Sequence, residues 1–275
     1  AKIETHALLI EAFDEITHNQ ELVDELKIWL LKQKQTQAWP SSKSTAVACY
    51  ALLMRGTDLL KTKGEINIQM GTKRINSEEQ LAEPGTGYFK KQWLTKEVKP
   101  EMGNIIVENK NSSIAWGAIY WQYHQDLDQI SSSSDKNLVL SKTLFKAILT
   151  NEGQVLQPIK QVDIKPGDKV VTRLRIDVDR DLEFIHLKDM RASSLEPIEV
   201  LSGYRYQDGL GYYQTVKDAS TNFFFDNIQK GTYVFEYSTR ATQVGRFSNG
   251  ISSIQCLYAP EYSSHSQGDV LIVEE

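Results

Sequence analysis

From Leu138 onward, this 275-residue chain breaks into short β-type runs separated by turn residues. The repeat of roughly 8–12 residues is that of an all-β antiparallel sandwich. Pro166-Gly167-Asp168 marks a turn, and Val171, Leu174, Ile176 and Val178 mark the strand after it. Aromatic clusters follow at Tyr212-Tyr213, Phe223-Phe224-Phe225 and Tyr233-Val234-Phe235-Glu236-Tyr237. Gly209-Leu210-Gly211 lacks the third glycine and the helix of a dinucleotide fingerprint, and reads as a hairpin loop. Gly245 to Gly250 reads as a turn before a last strand from Ile251 to Pro260. Such a sandwich is built for packing and recognition rather than for chemistry.

The first third differs in period. Ile3, Ala7, Ile10 and Phe13 form one helical stripe, with Leu9 and Ile16 beside it. Asn19 and Glu21 suit a break and a new helix start. Leu22, Leu26, Trp29 and Leu30 then repeat through Leu31, and Lys32 to Ala38 reads as helix end and loop. Pro40-Ser41-Ser42 turns the chain, and Ser44 or Thr45 caps a third helix whose face is Val47, Tyr50, Ala51 and Met54, ended by Gly56.

After Lys61 the period falls to two, with Ile66 and Ile68 alternating with polar residues and a turn at Gly71-Thr72. Glu83-Pro84-Gly85-Thr86-Gly87 is a loop. Tyr88 to Leu94, Asn104 to Glu108 and Ile114 to Tyr123 read as strands, the last with Gly117 as a bulge. Ser131-Ser132-Ser133-Ser134-Asp135 reads as a linker. The expected domains are 1–61, helical; 62–135, β-rich; and 136–275, the sandwich.

A formal net charge of −5 offers no basic footprint for nucleic acid. There is no run of about 18 apolar residues that would span a membrane. A start at Ala1 without a signal region reads as a processed or truncated chain. Cys49 and Cys256 read as buried free thiols.

Several residue sets have the composition of a site. Asp177, Asp179, Asp181 and Glu183 could supply oxygen ligands for calcium. Their alternation instead places them on one strand face, balanced by Arg173, Arg175 and Arg180, and a solvated charged face is expected. His6, His18, His124, His186 and His265 lack zinc-ligand spacing. His124 near Asp126 and Asp128 has the elements of a base and its orienting acid, and an exposed or structural histidine is the plainer reading. Ser193-Ser194 and Ser202-Gly203 lack a nucleophile elbow, and no phosphate-binding loop occurs. Trp93, Trp116, Trp121 and Tyr123, with Tyr88 and Tyr120, make either core packing or an interaction surface for sugar or protein. Asn111-Ser112-Ser113 matches a glycosylation sequon. No catalytic residue, metal site or cofactor is expected.

Asp179-Arg180-Asp181-Leu182-Glu183, Lys188-Asp189-Met190-Arg191-Ala192, Glu196-Pro197, Tyr212-Tyr213-Gln214, Lys217-Asp218-Ala219-Ser220, Lys230-Gly231-Thr232, Phe235-Glu236-Tyr237 and Leu257-Tyr258-Ala259-Pro260-Glu261 together resemble the C-terminal macroglobulin-like domain of bacterial α2-macroglobulins. Trp29-Leu30-Leu31, Gln33, Trp39-Pro40-Ser41-Ser42 and Thr45-Ala46-Val47-Ala48 resemble the closing helices of that family's α/α-toroid. The resemblance implies an α+β multidomain chain: a helical remnant of the toroid, then an antiparallel β-domain that is CUB-like or made of returning strands, then a macroglobulin-like sandwich. The family's thioester motif is absent, since Cys49 is followed by Tyr50-Ala51-Leu52 and Cys256 by Leu257-Tyr258-Ala259.

The function implied is a non-catalytic scaffold in a periplasmic or cell-surface protease trap that works by conformational change. Its partners would be target proteases and the other domains of the parent, with no nucleic acid. A rival reading is a carbohydrate- or protein-binding adhesin module. Helices and strands separated from their neighbours expose apolar faces and open edges, so the chain is expected to dimerise through them or to fold its helices onto its own strands.

Overall fold

The computed structural model describes residues 2–56, 65–83, 87–111, 115, 117–134 and 137–275. It falls into two compact units, one of residues 1–32 and 39–121 and the other of residues 33–38 and 122–275.

The first unit opens with helices α1 (Lys2–Ile16), α2 (Gln20–Thr36) and α3 (Ser42–Met54). Ile3, Ala7 and Ile10 of α1 pack with Val23, Leu30, Ala48, Ala51 and Leu52. Leu9 and Ile16, expected beside the stripe, are exposed. α2 runs on to Thr36, through the segment expected as a loop, because Lys32 to Thr36 holds no helix breaker. The N-cap of α3 is Ser41, whose Oγ accepts from the Ser44 backbone N–H at 3.0 Å. α3 buries Ser44, Ala48, Ala51 and Leu52, while Tyr50 and Met54 are exposed. The buried face is thus rotated from the expected one, because small residues at 44, 48 and 51 let α3 approach α1 closely. Gly56 takes φ 62°, and a Cβ there would stand 2.6 Å from Val23 Cγ1. Lys27 is buried and its Nζ donates to the Arg55 carbonyl at 2.7 Å, closing the end of α3.

The same unit holds a small antiparallel sheet of β1 (Ile66–Met70), β2 (Lys73–Asn76) and β3 (Ile105–Asn109), in the order β2-β1-β3. Met70, Ile75 and Met102 form its core. Residues 88–94 and the described part of 114–123 form no strand. Their aromatics suit a pleated surface, but a strand also needs a paired neighbour, and all three strands of the sheet come from elsewhere in the chain. Residues 84–86, Ser112, Ser113, Ile114 and Asp135 lie outside the described residues.

The second unit is the sandwich. Its strands are β4 (Ser133–Ser134), β5 (Leu138–Thr150), β6 (Gly153–Pro158), β7 (Lys169–Val178), β8 (Leu182–Met190), β9 (Leu195–Pro197), β10 (Gly203–Gln207), β11 (Leu210–Val216), β12 (Ser220–Ile228), β13 (Gly231–Ala241), β14 (Gly245–Ser248), β15 (Ser252–Cys256), β16 (Ser263–His265) and β17 (Val270–Val273). A seven-stranded sheet runs β10-β11-β12-β8-β15-β16-β4, and a five-stranded sheet runs β6-β5-β7-β13-β9. β14 and β17 pair apart from both. Gly245–Ser248, expected as a turn, is therefore a strand. The serine-rich segment expected as a linker instead contributes an edge strand, β4, paired with β16.

The core lies between the two large sheets. Leu140, Leu174, Ile176 and Phe235 of one sheet meet Ile185, Leu187, Tyr212, Phe223 and Phe225 of the other. Strand alternation sorts the aromatic clusters. Tyr212, Phe223 and Phe225 turn inward, with Phe223 edge-on to Phe235 at 5.0 Å, while Tyr213 and Phe224 turn outward. The β10–β11 hairpin turns on Asp208-Gly209, whose φ values of 49° and 78° are those of a type I′ turn.

Candidate functional site

Asp177, Asp179, Asp181 and Glu183 are not on one strand face. They span the β7–β8 connection, because β7 ends at Val178 and β8 starts at Leu182. Arg175 Nε donates to Asp177 Oδ2 at 2.9 Å, and Arg180 Nε donates to Asp179 Oδ1 at 2.8 Å. These guanidinium bonds hold both carboxyls below the usual aspartate range. Asp181 accepts instead from the Lys230 backbone N–H. Among the described residues no group of acids, histidines and cysteines is arranged to hold a metal.

His6 stacks on Trp29 at 4.0 Å, and His124 is exposed. Cys256 is buried, which raises its thiol, while Cys49, expected to be buried, is exposed on α3. Position 49 lies off the face of α3 formed by Ser44, Ala48, Ala51 and Leu52, which leaves the thiol outside the helical core.

Of the expected aromatic surface, Trp116 lies outside the described residues. Trp93 is half-buried against Met70, Ile75 and Met102, and it lines a cleft of about 380 Å³ with Lys73, Arg74 and Lys91. Trp121 and Tyr123 are exposed on irregular backbone.

Two arrangements in the sandwich stand out; the sequence marks some of their residues, such as Tyr213, Phe224 and Tyr237, but assembles neither. One is a buried polar bolt between the sheets. Lys142 of β5 places Nζ 2.7 Å from Asp189 Oδ1 of β8, with the two side chains 4% and 0% exposed. Lys142 Nζ also donates to the Met190 carbonyl at 2.6 Å. Ser252 of β15 donates to Asp189 Oδ1 and Tyr237 of β13 to Asp189 Oδ2, so two strands of each sheet meet on one carboxylate. Burial and the Asp189 charge push the Tyr237 hydroxyl well above its ordinary value. Arg191 next to this group donates to Thr221 Oγ1 at 3.0 Å and to the Asp218 carbonyl at 2.9 Å.

The other is a ladder of rings on the outer face of the seven-stranded sheet. Tyr204 stands opposite Tyr213, Tyr213 opposite Phe224, and Phe224 opposite His186, across four adjacent strands. Tyr204 and Tyr213 meet edge-on at 5.0 Å, and His186 stacks on Phe224 at 4.7 Å. His186 Nε2 lies 3.0 Å from Asn222 Oδ1. Phe184, held at φ 56°, extends the row through an edge contact to Tyr258 at 5.2 Å. An exposed row of aromatic rings is the composition of an interaction face.

Residues 141–261 match the family described as the bacterial alpha-2-macroglobulin MG10 domain. Most of the sandwich is thus similar to that domain. No curated protein matches the chain. Among solved structures, Salmonella alpha-2-macroglobulin reacted with methylamine is similar at 14% identity and TM-score 0.42, over 100% of this chain and 17% of that one. Trypsin-activated alpha-2-macroglobulin from Escherichia coli is similar at 12% identity and TM-score 0.49, over 100% of this chain and 19% of that one. The native Escherichia coli protein from domain MG7 to the C-terminus is similar at 12% identity and TM-score 0.41, over 100% of this chain and 42% of that one. The chain thus spans about a fifth of the length of the alpha-2-macroglobulins it first matches.

Proposed function

We propose that this chain is a mechanical, non-catalytic part of a bacterial alpha-2-macroglobulin-like protease trap at the periplasm or cell surface. The family match over the sandwich supports this reading. In it, residues 1–61 close an α/α-toroid, 62–135 are returning strands and 136–275 are the macroglobulin-like domain. A target protease cleaves a bait segment elsewhere in the parent, the domains rearrange, and the protease is caged or tethered. This chain supplies scaffold and a surface on which another domain of the parent docks.

The observation that carries the docking role is the ladder of exposed Tyr204, Tyr213 and Phe224 with half-buried His186. The test is Tyr204→Ser with Phe224→Ser in the whole parent protein. Both side chains face outward, so stability should change by less than about 1 kcal/mol. Protease should cleave the variant as fast as the wild type, yet be hindered less afterwards. Unchanged hindrance would argue against a role for this face. Saturable binding of the isolated chain to a glycan array, lost on Trp121→Ala, would favour the adhesin reading instead.

A further inference from the structure

β13 is longer than the strand that covers it. On one side it pairs with β7 from Gly231 to Arg240, but on the other β9 reaches only Thr239 to Ala241. Ser238 is met by the Ile198 backbone N–H at 3.2 Å. The pleat turns the N–H and C=O groups of Thr232, Val234, Glu236 and Ser238 toward this uncovered edge. Two of those N–H groups are met by side chains in place of a strand. Val234 N–H donates to Asp208 Oδ2 at 2.7 Å, and Glu236 N–H donates to Gln207 Oε1 at 2.8 Å. Both acceptors come from the β10–β11 hairpin of the opposite sheet, and both residues are exposed. Asp208 sits at φ 49° in the turn of that hairpin.

We infer that the β13 edge is a latent strand-pairing site that takes a second copy of this chain, and that Gln207 and Asp208 hold it shut. The two side-chain oxygens stand where the carbonyls of a neighbouring strand would be. The edge is self-complementary. A twofold axis at Phe235 sets Val234 opposite Glu236 of the second copy, and each such pair exchanges two backbone hydrogen bonds through the groups now capped. That register keeps Glu236 from facing its own copy, so like charges are not opposed. Thr232-Tyr233-Val234-Phe235-Glu236-Tyr237 is rich in β-branched and aromatic residues, so it is strand-forming without help. Capping an open edge with side chains is a way to prevent such pairing.

The test uses the full chain carrying Gln207→Val and Asp208→Gly. Glycine keeps the positive φ that position 208 requires. Its mass is measured by sedimentation over a concentration series beside the wild-type chain. The expected result is a gain in association over the wild type, up to a doubling of mass. That gain should vanish on adding Val234→Pro, which removes an edge-facing N–H. A folded variant with the wild-type mass at every concentration overturns the inference, as does a gain that survives Val234→Pro. Should the double variant fail to fold, Asp208→Gly alone decides the matter by amide exchange on dilute protein. Val234 N–H should exchange at least about tenfold faster than in the wild type. Phe235 N–H, turned toward β7, should be unchanged. Equal rates at Val234 overturn the inference.

Discussion

Replacing Asp189 by alanine removes the one carboxylate on which Lys142, Tyr237 and Ser252 converge. The lysine ammonium is then left between the sheets without its counter-charge, because its side chain is only 4% exposed. Breaking a buried pair from one side costs about 3–5 kcal/mol, since the remaining charge stays desolvated. For a domain of this size that is a fall of roughly 10 °C or more in melting temperature. It is also a fall of about 2 M in the urea midpoint if the slope is near 2 kcal/mol/M. Far-UV circular dichroism of the β signal follows the sandwich directly. Lys142→Met should cost a similar amount. Removing the whole group together, with Lys142→Met, Asp189→Leu, Tyr237→Phe and Ser252→Ala, should recover most of the loss, because no charge and none of the side-chain polar atoms that met Asp189 is left behind. A single variant within about 1 kcal/mol of the wild type would refute the reasoning, because it would mean water reaches the pair.

Further predictions concern pH, thiols and caps. Tyr237 has a folded-state pKa above its unfolded one, so its contribution to stability is full below about pH 10 and is lost as pH rises through the folded value; unfolding midpoints measured from pH 9 upward should fall, and Tyr237→Phe should flatten the curve. Native protein should react with one equivalent of a thiol reagent, at Cys49, and with a second, at Cys256, only after unfolding, which mass spectrometry of the labelled peptides would check. Ser41→Ala removes the α3 cap and should cost about 1 kcal/mol in thermal unfolding of the helical unit. Gly56→Ala should cost more than about 1 kcal/mol, since it combines a positive φ with a Cβ driven into Val23.

Much of the fold could be read from the chain because its signals were local. Turn residues at regular spacing marked the sandwich, and helical stripes marked α1 and α3. The linker reading failed at Ser133 and Ser134 because serine runs look alike whether or not a distant strand pairs with them; β16, which holds β4, lies 130 residues away. The strand readings at 88–94 and over the described part of 114–123 failed for the converse reason, since strand propensity was present and a partner was not. The outward half of the ladder was visible in principle. Tyr212-Tyr213 and Phe223-Phe224-Phe225 are too aromatic for strands with one buried face, so alternation must expose part of each. That Tyr204 and His186 join the same row depends on register, which composition does not carry. The Lys142–Asp189 bolt is a contact between sheets, and no spacing in the chain announces it. The resemblance to bacterial α2-macroglobulins, carried by motifs from Asp179 to Glu261, agrees with the family match over residues 141–261.

The trap reading itself is tested most directly on the whole parent protein. It is mixed with a broad-specificity protease, and residual activity is measured on a large protein substrate and on a small chromogenic peptide. A steric trap leaves the protease active site free, so the account predicts a marked loss of activity on the protein substrate with most of the peptide activity retained. Equal loss on both substrates, or loss on neither, would contradict it.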